Sequence, residues 1–355
     1  MFKLAEGAHE FASKRWPEVK DIAERIGYIA PSHIHINNYP KDTPIAAFNP
    51  AMCLDQDYLK IFARIIIGYY MYVSAVALID VPLSDVEARR ITNSHYSAEL
   101  VVYPTNKYDF WGVEDPRVNR IDDILTMVYT GRSVNYFNPA IRQERTLPVV
   151  AVSKPRNGRT WIKKGVFVLS PHLRSHVISD KDAFLVKTDD GKLWLFHRPH
   201  TDDERFHLVI SRVSSEFLTS PSFSEITVTD TRIVLEPAPF EEKLGWAAPP
   251  IKIDSHRYLA LIHAVVKESL VYNVFAALLR YDESKGFFVE SVTPYYIMGP
   301  KTIYEIYGDR PLVVFPCGVA EVDGDIIVSY GAADYVIGLA KIDKQQLLSI
   351  LEEGR

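Results

Sequence analysis

The sequence predicts an all-β fold, a five-bladed β-propeller with short N- and C-terminal helices. One phrase recurs five times: a Pro- or Asp-marked entry, an apolar run, a tight polar turn, and a second apolar run with a polar end. Its turns fall near Asp57, Asp123, Gly191, Ser255 and Gly324, in steps of about 66, 68, 64 and 69 residues; self-similarity at a fixed period marks a repeat architecture. A unit of this length holds four ordinary strands with their connections, one propeller blade, and five units use nearly all of the 355 residues. The 20 Tyr, 17 Phe and 22 Pro suit a chain of many short strands and turns.

Residues 1–30 are expected to form a helical extension, because Phe11, Trp16, Val19, Ile22 and Ile26 recur at near-helical spacing between Phe2 and Ile26, with a break at Pro17. The propeller, the catalytic domain, is expected over 31–342. Its hairpins are Phe48 to Arg64, Val113 to Thr130, Lys181 to Arg198, Ala248 to His263 and Phe315 to Tyr330. The most apolar stretch, Ile61 to Val81, carries Arg64 and reads as paired strands, not a membrane span. The longest irregular stretch, Gly131 to Leu147, contains Asn135, Asn138, Arg142 and Arg145; long loops on a rigid scaffold commonly carry function. A closing helix over 343–355 places Leu347, Leu348 and Leu351 on one face. The two terminal helices are expected to pack on the chain's own outer strands, and are also compatible with a homo-oligomer.

With 47% hydrophobic and 24% charged residues and a net charge of −5, the composition is that of a globular protein. Phosphate-backbone binding needs clustered positive charge, so no nucleic acid is expected as a partner. No signal core or membrane span is visible, and a cytoplasmic location is the expectation. Cys53 and Cys317 read as small core residues. His172 and His176 share no ligand spacing with other His or Cys, so no metal site is expected.

In a propeller the inner strands converge on the axis, so residues far apart in sequence meet in one central cavity. The phrases begin with Asn49-Pro50, Glu114-Asp115-Pro116-Arg117, Lys181-Asp182, Pro249-Pro250 and Pro316-Cys317, and end with Arg64, Tyr129-Thr130, His197-Arg198, His263 and Tyr330, the last followed by Ala333-Asp334. Polar groups recurring in register suggest a ring of ligands around a polar substrate. Glu114 and Arg117 are expected to form an ion pair between blades, and Lys187 and Lys252 to face solvent.

Four phrases, Trp111-Gly-Val-Glu-Asp-Pro-Arg117, His197-Arg-Pro199, Ala248-Pro-Pro-Ile-Lys252 and Phe315-Pro-Cys-Gly318, lead to Tyr330-Gly-Ala-Ala-Asp334 and Gly338-Leu-Ala340. Together, from about Phe48 to Ala340, they resemble glycoside hydrolase family 130, the β-mannoside phosphorylases and related β-mannosidases. The resemblance implies that Asp115 is the catalytic acid of an inverting reaction, delivering its proton through the 3-hydroxyl of the mannosyl unit while inorganic phosphate attacks from the opposite face. Phosphate, already an anionic nucleophile, needs a cationic pocket in place of a second carboxylate.

By position the resemblance assigns Arg145, Lys163, His263 and Tyr272 to phosphate, although Lys163 stands where the family more usually carries arginine and lacks its bidentate fork. It assigns Asn49, Arg64 and Asp334 to the mannosyl unit; Asp182, His197 and Arg198 belong to the same polar ring, and Trp111 or Tyr108 offers a stacking face. The partners implied are a β-mannoside oligosaccharide and phosphate as co-substrate, with no cofactor. Departures from the family lie in Ile65 to Ala77, here apolar and aromatic, and in the charged stretch His200 to Arg205, which reshapes the acceptor side. Two alternatives stay open: a β-mannosidase in which Asp182 or Asp334 handles water, and a non-catalytic glycan-binding propeller. Convergence of Arg145, Lys163 and His263 on the far side from Asp115 would favour phosphorolysis; divergence, hydrolysis.

Overall fold

The computed structural model describes residues 2–68, 72–153 and 157–354. Five antiparallel sheets form five blades. Blade 1 runs outward from Ala46–Asp55 through Tyr58–Ile66, Ser74–Pro82 and Tyr96–Val102; blade 2 from Val113–Ile121 through Ile124–Arg132, Thr146–Ser153 and Ile162–Val168. Blade 3 comprises Val177–Lys187, Leu193–Thr201, Leu208–Val213 and Thr229–Leu235. Short parallel strands extend these three at the rim: Ile34–Ile36 on blade 1, Ser224–Thr227 on blade 2 and Lys3–Leu4 on blade 3.

Blade 4 starts at Glu241–Trp246, earlier than the Ala248 expected for its phrase, and continues through Arg257–Val266, Tyr272–Asp282 and Gly286–Val292. Its inner strand is interrupted at Ala247 to Pro250 and resumes at Ile251–Lys252, because proline cannot donate to a ladder.

Blade 5 is built from Val314–Val322, Asp325–Ala332 and Val336–Asp343, and its outer strand comes from the other end of the chain, Glu24–Ile29. This corrects the helix expected over residues 1–30. Among the described residues of this stretch only Glu10–Ala12 makes a helical turn, of the 3-10 type; turns flank it, and from Trp16 on the chain runs along blade 4, with Trp16, Lys20 and Ile22 donating their backbone N–H to Pro294, Tyr296 and Ile297. Trp16 and Val19 are 63% and 45% exposed while Phe11 and Ile26 are buried, so the spaced apolar residues do not share one face. The propeller boundary therefore lies N-terminal to residue 31.

The closing strand is fastened by a buried carboxylate. Glu305 receives Arg25 Nε at 2.6 Å and the Tyr330 hydroxyl at 2.6 Å, so the first and last parts of the chain share one polar knot. The C-terminal helix, Lys344–Glu353, is capped by Asp343, which accepts from Gln346 N at 2.7 Å, and buries Leu347, Ile350 and Leu351 while Leu348 is half-buried. The apolar core sits between neighbouring blades; blades 3 and 4, for example, interdigitate Phe184, Phe196, Trp246, Phe275 and Phe287. Cys317 is buried and Cys53 half-buried, both as free thiols. Among the described residues no helix is long and apolar enough to cross a membrane.

The inner strands carry the feature that builds the site. Their pairing slips between Phe48 and Ala51, between Glu114 and Arg117, and between Lys181 and Phe184. Within these bulges Asn49, Asp115 and Asp182 take positive φ values of 46°, 46° and 54°. Asn and Asp are the non-glycine residues that best tolerate this conformation, and a bulge re-aims a side chain out of the sheet. Three blades thus present a polar residue to the axis by the same backbone device.

Candidate active site

A cavity of about 770 Å³ opens at the axis, lined from every blade: Asn49 and Arg64 from blade 1, Glu114, Asp115 and Arg132 from blade 2, Lys181, Asp182 and Arg198 from blade 3, Lys243 and Tyr272 from blade 4, Phe315 and Asp334 from blade 5. A larger hollow of about 880 Å³ beside blade 1 has Lys41 as its only charged lining residue among those described, and offers no acid or base for catalysis.

The first wall of the cavity centres on Asp115. Asn49 Nδ2 donates to its Oδ1 at 2.8 Å and Arg64 Nη1 to the same oxygen at 3.0 Å. Oδ2 takes no hydrogen bond from any described residue and is left to face the cavity. Asn49 reaches Asp115 only because residue 331 is glycine: a Cβ there would lie 1.8 Å from Asn49 Oδ1. Beside them the Glu114 carboxylate receives Arg132 Nε at 2.6 Å and Nη2 at 3.2 Å, with Arg64 at 3.3 Å and Lys181 at 3.4 Å. Burial alone would raise the Glu114 carboxyl, but Arg64, Arg132 and Lys181 hold it well below the usual range. Glu114 therefore shares its single negative charge among three cations of this wall, and the ion pair expected with Arg117 does not form. Arg117 instead donates to the carbonyls of Asp115, Trp246 and Ala247 and meets Asp182 at 3.4 Å. Asp334 is pushed up to about 6 by burial and the nearby Asp115 charge, with Arg64 opposing.

The facing wall is cationic. Arg198 Nε lies 2.6 Å from Asp182 Oδ2, and the Arg198 guanidinium and Lys243 ammonium sit 5.2 and 4.8 Å from the Phe206 ring centroid. Arg310 packs 4.8 Å over the Tyr272 ring. Burial, Arg198 and Arg310 together bring Lys243 down to about 8. Among the described residues neither Lys243 nor Arg310 has a salt-bridge partner, so this wall carries uncompensated positive charge. Asp182, by contrast, is enclosed: burial would raise it, but Arg198, His263 and Arg117 hold it far below the ordinary carboxylate range. His263 stands behind the wall, its Nε2 3.4 Å from Asp182 and its ring 4.4 Å from that of Phe315; burial lowers its imidazole. Gly245 makes room for this contact, since a Cβ there would lie 2.2 Å from His263 Nε2.

Of the residues singled out by sequence, Asn49, Arg64, Asp115, Asp182, Arg198, Tyr272 and Asp334 line the one cavity, with His263 just behind it. Five do not line it. Lys163 is spent on Asp109 at 2.5 Å, the Tyr103 carbonyl and the Thr105 hydroxyl. Arg145 donates to the carbonyls of Ile141 and Tyr136 within its own loop. His197 bridges Asp180 and Ser211, both at 2.7 Å, inside blade 3. Trp111 stacks edge-on against Phe110, and Tyr108 against Phe223 with its hydroxyl on Glu225. Arg145, Lys163 and His263 therefore do not converge. The cations that do meet, Lys243 and Arg310, went unremarked because Lys243 belongs to the inner strand that precedes the Ala-Ala-Pro-Pro break and Arg310 to a connection outside the repeated phrase. Among the described residues no group of three or more His, Cys, Asp or Glu is arranged to hold a metal ion.

A family model described as beta-1,4-mannooligosaccharide phosphorylase matches residues 13–353. Two relatives come from Thermoanaerobacter sp. (strain X514): a 1,2-beta-oligomannan phosphorylase, 29% identical over 66% of this chain and 70% of its own length, and a beta-1,2-mannobiose phosphorylase, 30% identical over 67% and 68%. Among solved structures, the beta-1,2-mannobiose phosphorylase of Listeria innocua bound to beta-1,2-mannobiose superposes with a TM-score of 0.70 at 19% identity, over 93% of this chain and 99% of the other.

Proposed function

Because the chain belongs to glycoside hydrolase family 130, we propose that it is an inverting β-mannoside phosphorylase, moving a mannosyl unit from a β-linked mannoside to inorganic phosphate. The observation that carries this reading is the wall of Arg198, Lys243, Arg310 and Tyr272, positively charged and in the same cavity as Asp115. A dianionic nucleophile is held by charge and by the forked donors of arginine. It needs no base.

Asn49, Arg64 and Asp334 hold the mannosyl unit, and Asp115 is the general acid. Its proton leaves Oδ2 through the sugar 3-hydroxyl and reaches the glycosidic oxygen as the C1–O bond breaks. A phosphate oxygen forms the new bond to C1 from the opposite face. The products are α-mannose 1-phosphate and the sugar that was attached, and Asp115 regains its proton from solvent. Arg64 and Asn49 both take Oδ1, which fixes the carboxyl and keeps Oδ2 for the proton transfer.

Hydrolysis would require a carboxylate on the phosphate side to activate water. Asp182 and Asp309 are the carboxylates there; Arg198 and Arg117, with the His263 imidazole, depress the basicity of Asp182. Asp334 feels Arg64 and Asp115 but also Arg310 and Asp309, so it stands between the two walls and is the carboxylate a hydrolytic reading would use. The divergence of Arg145, Lys163 and His263 is the outcome expected of a hydrolase; what supports phosphorolysis in its place is the meeting of Arg198, Lys243 and Arg310 in the cavity of Asp115. The names of the two Thermoanaerobacter relatives make β-1,2-linked substrates the first to try, and the family model's description adds β-1,4-linked ones.

The test is incubation with β-1,2- and β-1,4-mannobiose, with and without phosphate, assaying mannose 1-phosphate and free mannose. Phosphate-dependent mannose 1-phosphate is expected, with kcat reduced about 10²- to 10⁴-fold in Asp115→Asn. Free mannose formed regardless of phosphate would make the protein a β-mannosidase. No product from any substrate would leave a glycan-binding role.

A further inference from the structure

We propose that the loop after Ile124–Arg132 builds an aromatic platform for the leaving part of the substrate, with Tyr136 under the first leaving sugar and Phe137 under the next, so that the enzyme favours oligosaccharides over disaccharides. This deepens the phosphorolysis reading and rests on it. Tyr136 and Phe137 are 50% and 67% exposed, yet both line the catalytic cavity. Rings of this size left uncovered beside a polar cleft are suited to the C–H face of a pyranose, which buries apolar area without giving up the sugar's outer hydroxyls.

The position of the platform follows from the acid. A general acid protonates the leaving oxygen, so the leaving sugar must lie along the Asp115 wall, away from the Lys243 and Arg310 side proposed for phosphate. Tyr136 is fixed to that wall: the Arg132 guanidinium lies 4.4 Å from its ring centroid while donating to Glu114 at 2.6 and 3.2 Å, and Arg64 spans Glu114 and Asp115. Lys181 and Ser179 line the same cavity and supply donors for the sugar's hydroxyls.

The loop is held in place before substrate arrives. Its far end is tied to blade 3 by Glu144 N to the Val177 carbonyl at 3.1 Å and Arg145 N to the Ile178 carbonyl at 2.8 Å. The Arg174 guanidinium grips Glu144 at 2.6 and 3.0 Å, and Arg142 pairs with Glu204 of the charged stretch after blade 3's second strand. Arg145, turned back on the carbonyls of Ile141 and Tyr136, braces the tip. A platform set in advance loses little entropy on binding.

The chain-length claim comes from the angle between the rings. Tyr136 and Phe137 meet at 65° with centroids 5.7 Å apart, so one flat sugar cannot lie on both. Two sugars at a bent linkage can.

The experiment runs the reaction in the synthetic direction, with mannose 1-phosphate as donor and mannose, mannobiose or mannotriose as acceptor, on wild type, Tyr136→Ala, Phe137→Ala, Tyr136→Phe and Phe137→Tyr. The expected result is a roughly tenfold rise in acceptor KM for Tyr136→Ala with every acceptor, the size of one lost stacking contact. For Phe137→Ala, the preference for mannobiose over mannose as acceptor falls by a similar factor. The KM for mannose 1-phosphate moves less than twofold in both, and the aromatic replacements restore acceptor KM. A wild-type enzyme that transfers no mannosyl unit from mannose 1-phosphate to any acceptor overturns the phosphorolysis reading and this one with it. A phosphorolytic wild type whose alanine variants keep their acceptor KM, or lose donor and acceptor affinity equally, overturns the platform alone.

Discussion

Single side chains in this site are defined as much by what neutralises them as by their chemistry. Glu114 is held ionised by Arg64, Arg132 and Lys181, and Asp182 by Arg198, His263 and Arg117. Lys243 is left unmatched on the cationic wall, and burial with Arg198 and Arg310 holds it at about 8. The sign follows directly: below that pH Lys243 is an ammonium ion and attracts phosphate, above it the charge is lost. The KM for phosphate should therefore rise as pH climbs through about 8, where phosphate is already a dianion and gains no further charge. Lys243→Arg should flatten that limb, because arginine keeps its charge, and Lys243→Met should show a high KM at every pH. A phosphate KM that is flat from pH 7 to 9 in the wild type would count against Lys243 as a ligand. The residues that reach the site from the bulges are legible because Asn49 and Asp115 stand before a proline and Asp182 falls in the same register of its phrase, so each marks both a turn and a polar end. Lys243 and Arg310 were not, since neither stands in the repeated phrase. Arg145 and Lys163 were misjudged for the converse reason: position along a strand does not reveal which way a long side chain turns, and both found closer partners.

At the scale of elements, the ring closes by a strand from the wrong end of the sequence. The hairpin turns near Asp57, Asp123, Gly191, Ser255 and Gly324 all fall between paired strands as expected, because two apolar runs around a polar turn are a local signal. Glu24–Ile29 gives no such signal. Its partner, Val336–Asp343, lies more than 300 residues away, and its apolar spacing imitates a helix. What holds it is the Arg25–Glu305–Tyr330 knot, with Glu305 fully buried. Replacing Arg25 by Met leaves that carboxylate buried with one donor fewer, and should cost about 3–5 kcal/mol. The measurement is the urea midpoint at constant m-value. The double variant Arg25→Met with Glu305→Gln should recover part of the loss, because the uncompensated charge is removed with its partner. Equal stability of the single variant and wild type would mean the strand is held by its ladder alone.

For the molecule as a whole, five blades contribute to one cavity, so a ligand at the axis bridges segments that are otherwise joined only at the seams between blades. Asn49, Asp115, Asp182, Lys243 and Asp334 come from five separate sheets. Such a ligand binds the closed ring and not the unfolded chain, and it adds RT ln(1 + [L]/Kd) to stability, about 2.7 kcal/mol at a hundredfold excess over Kd. On the proposed assignment mannose 1-phosphate would span the sugar residues and the cationic wall at once, and should raise the midpoint of thermal unfolding by more than phosphate or mannose alone at matched concentration. Asp115→Asn keeps the binding groups of both walls and should retain most of that shift. Lys243→Met should lose the part due to phosphate and keep the part due to mannose. If phosphate gave no shift in the wild type at concentrations that support turnover, the cationic wall would not be where phosphate binds, and the catalytic assignment would have to be rebuilt from Asp115 outward.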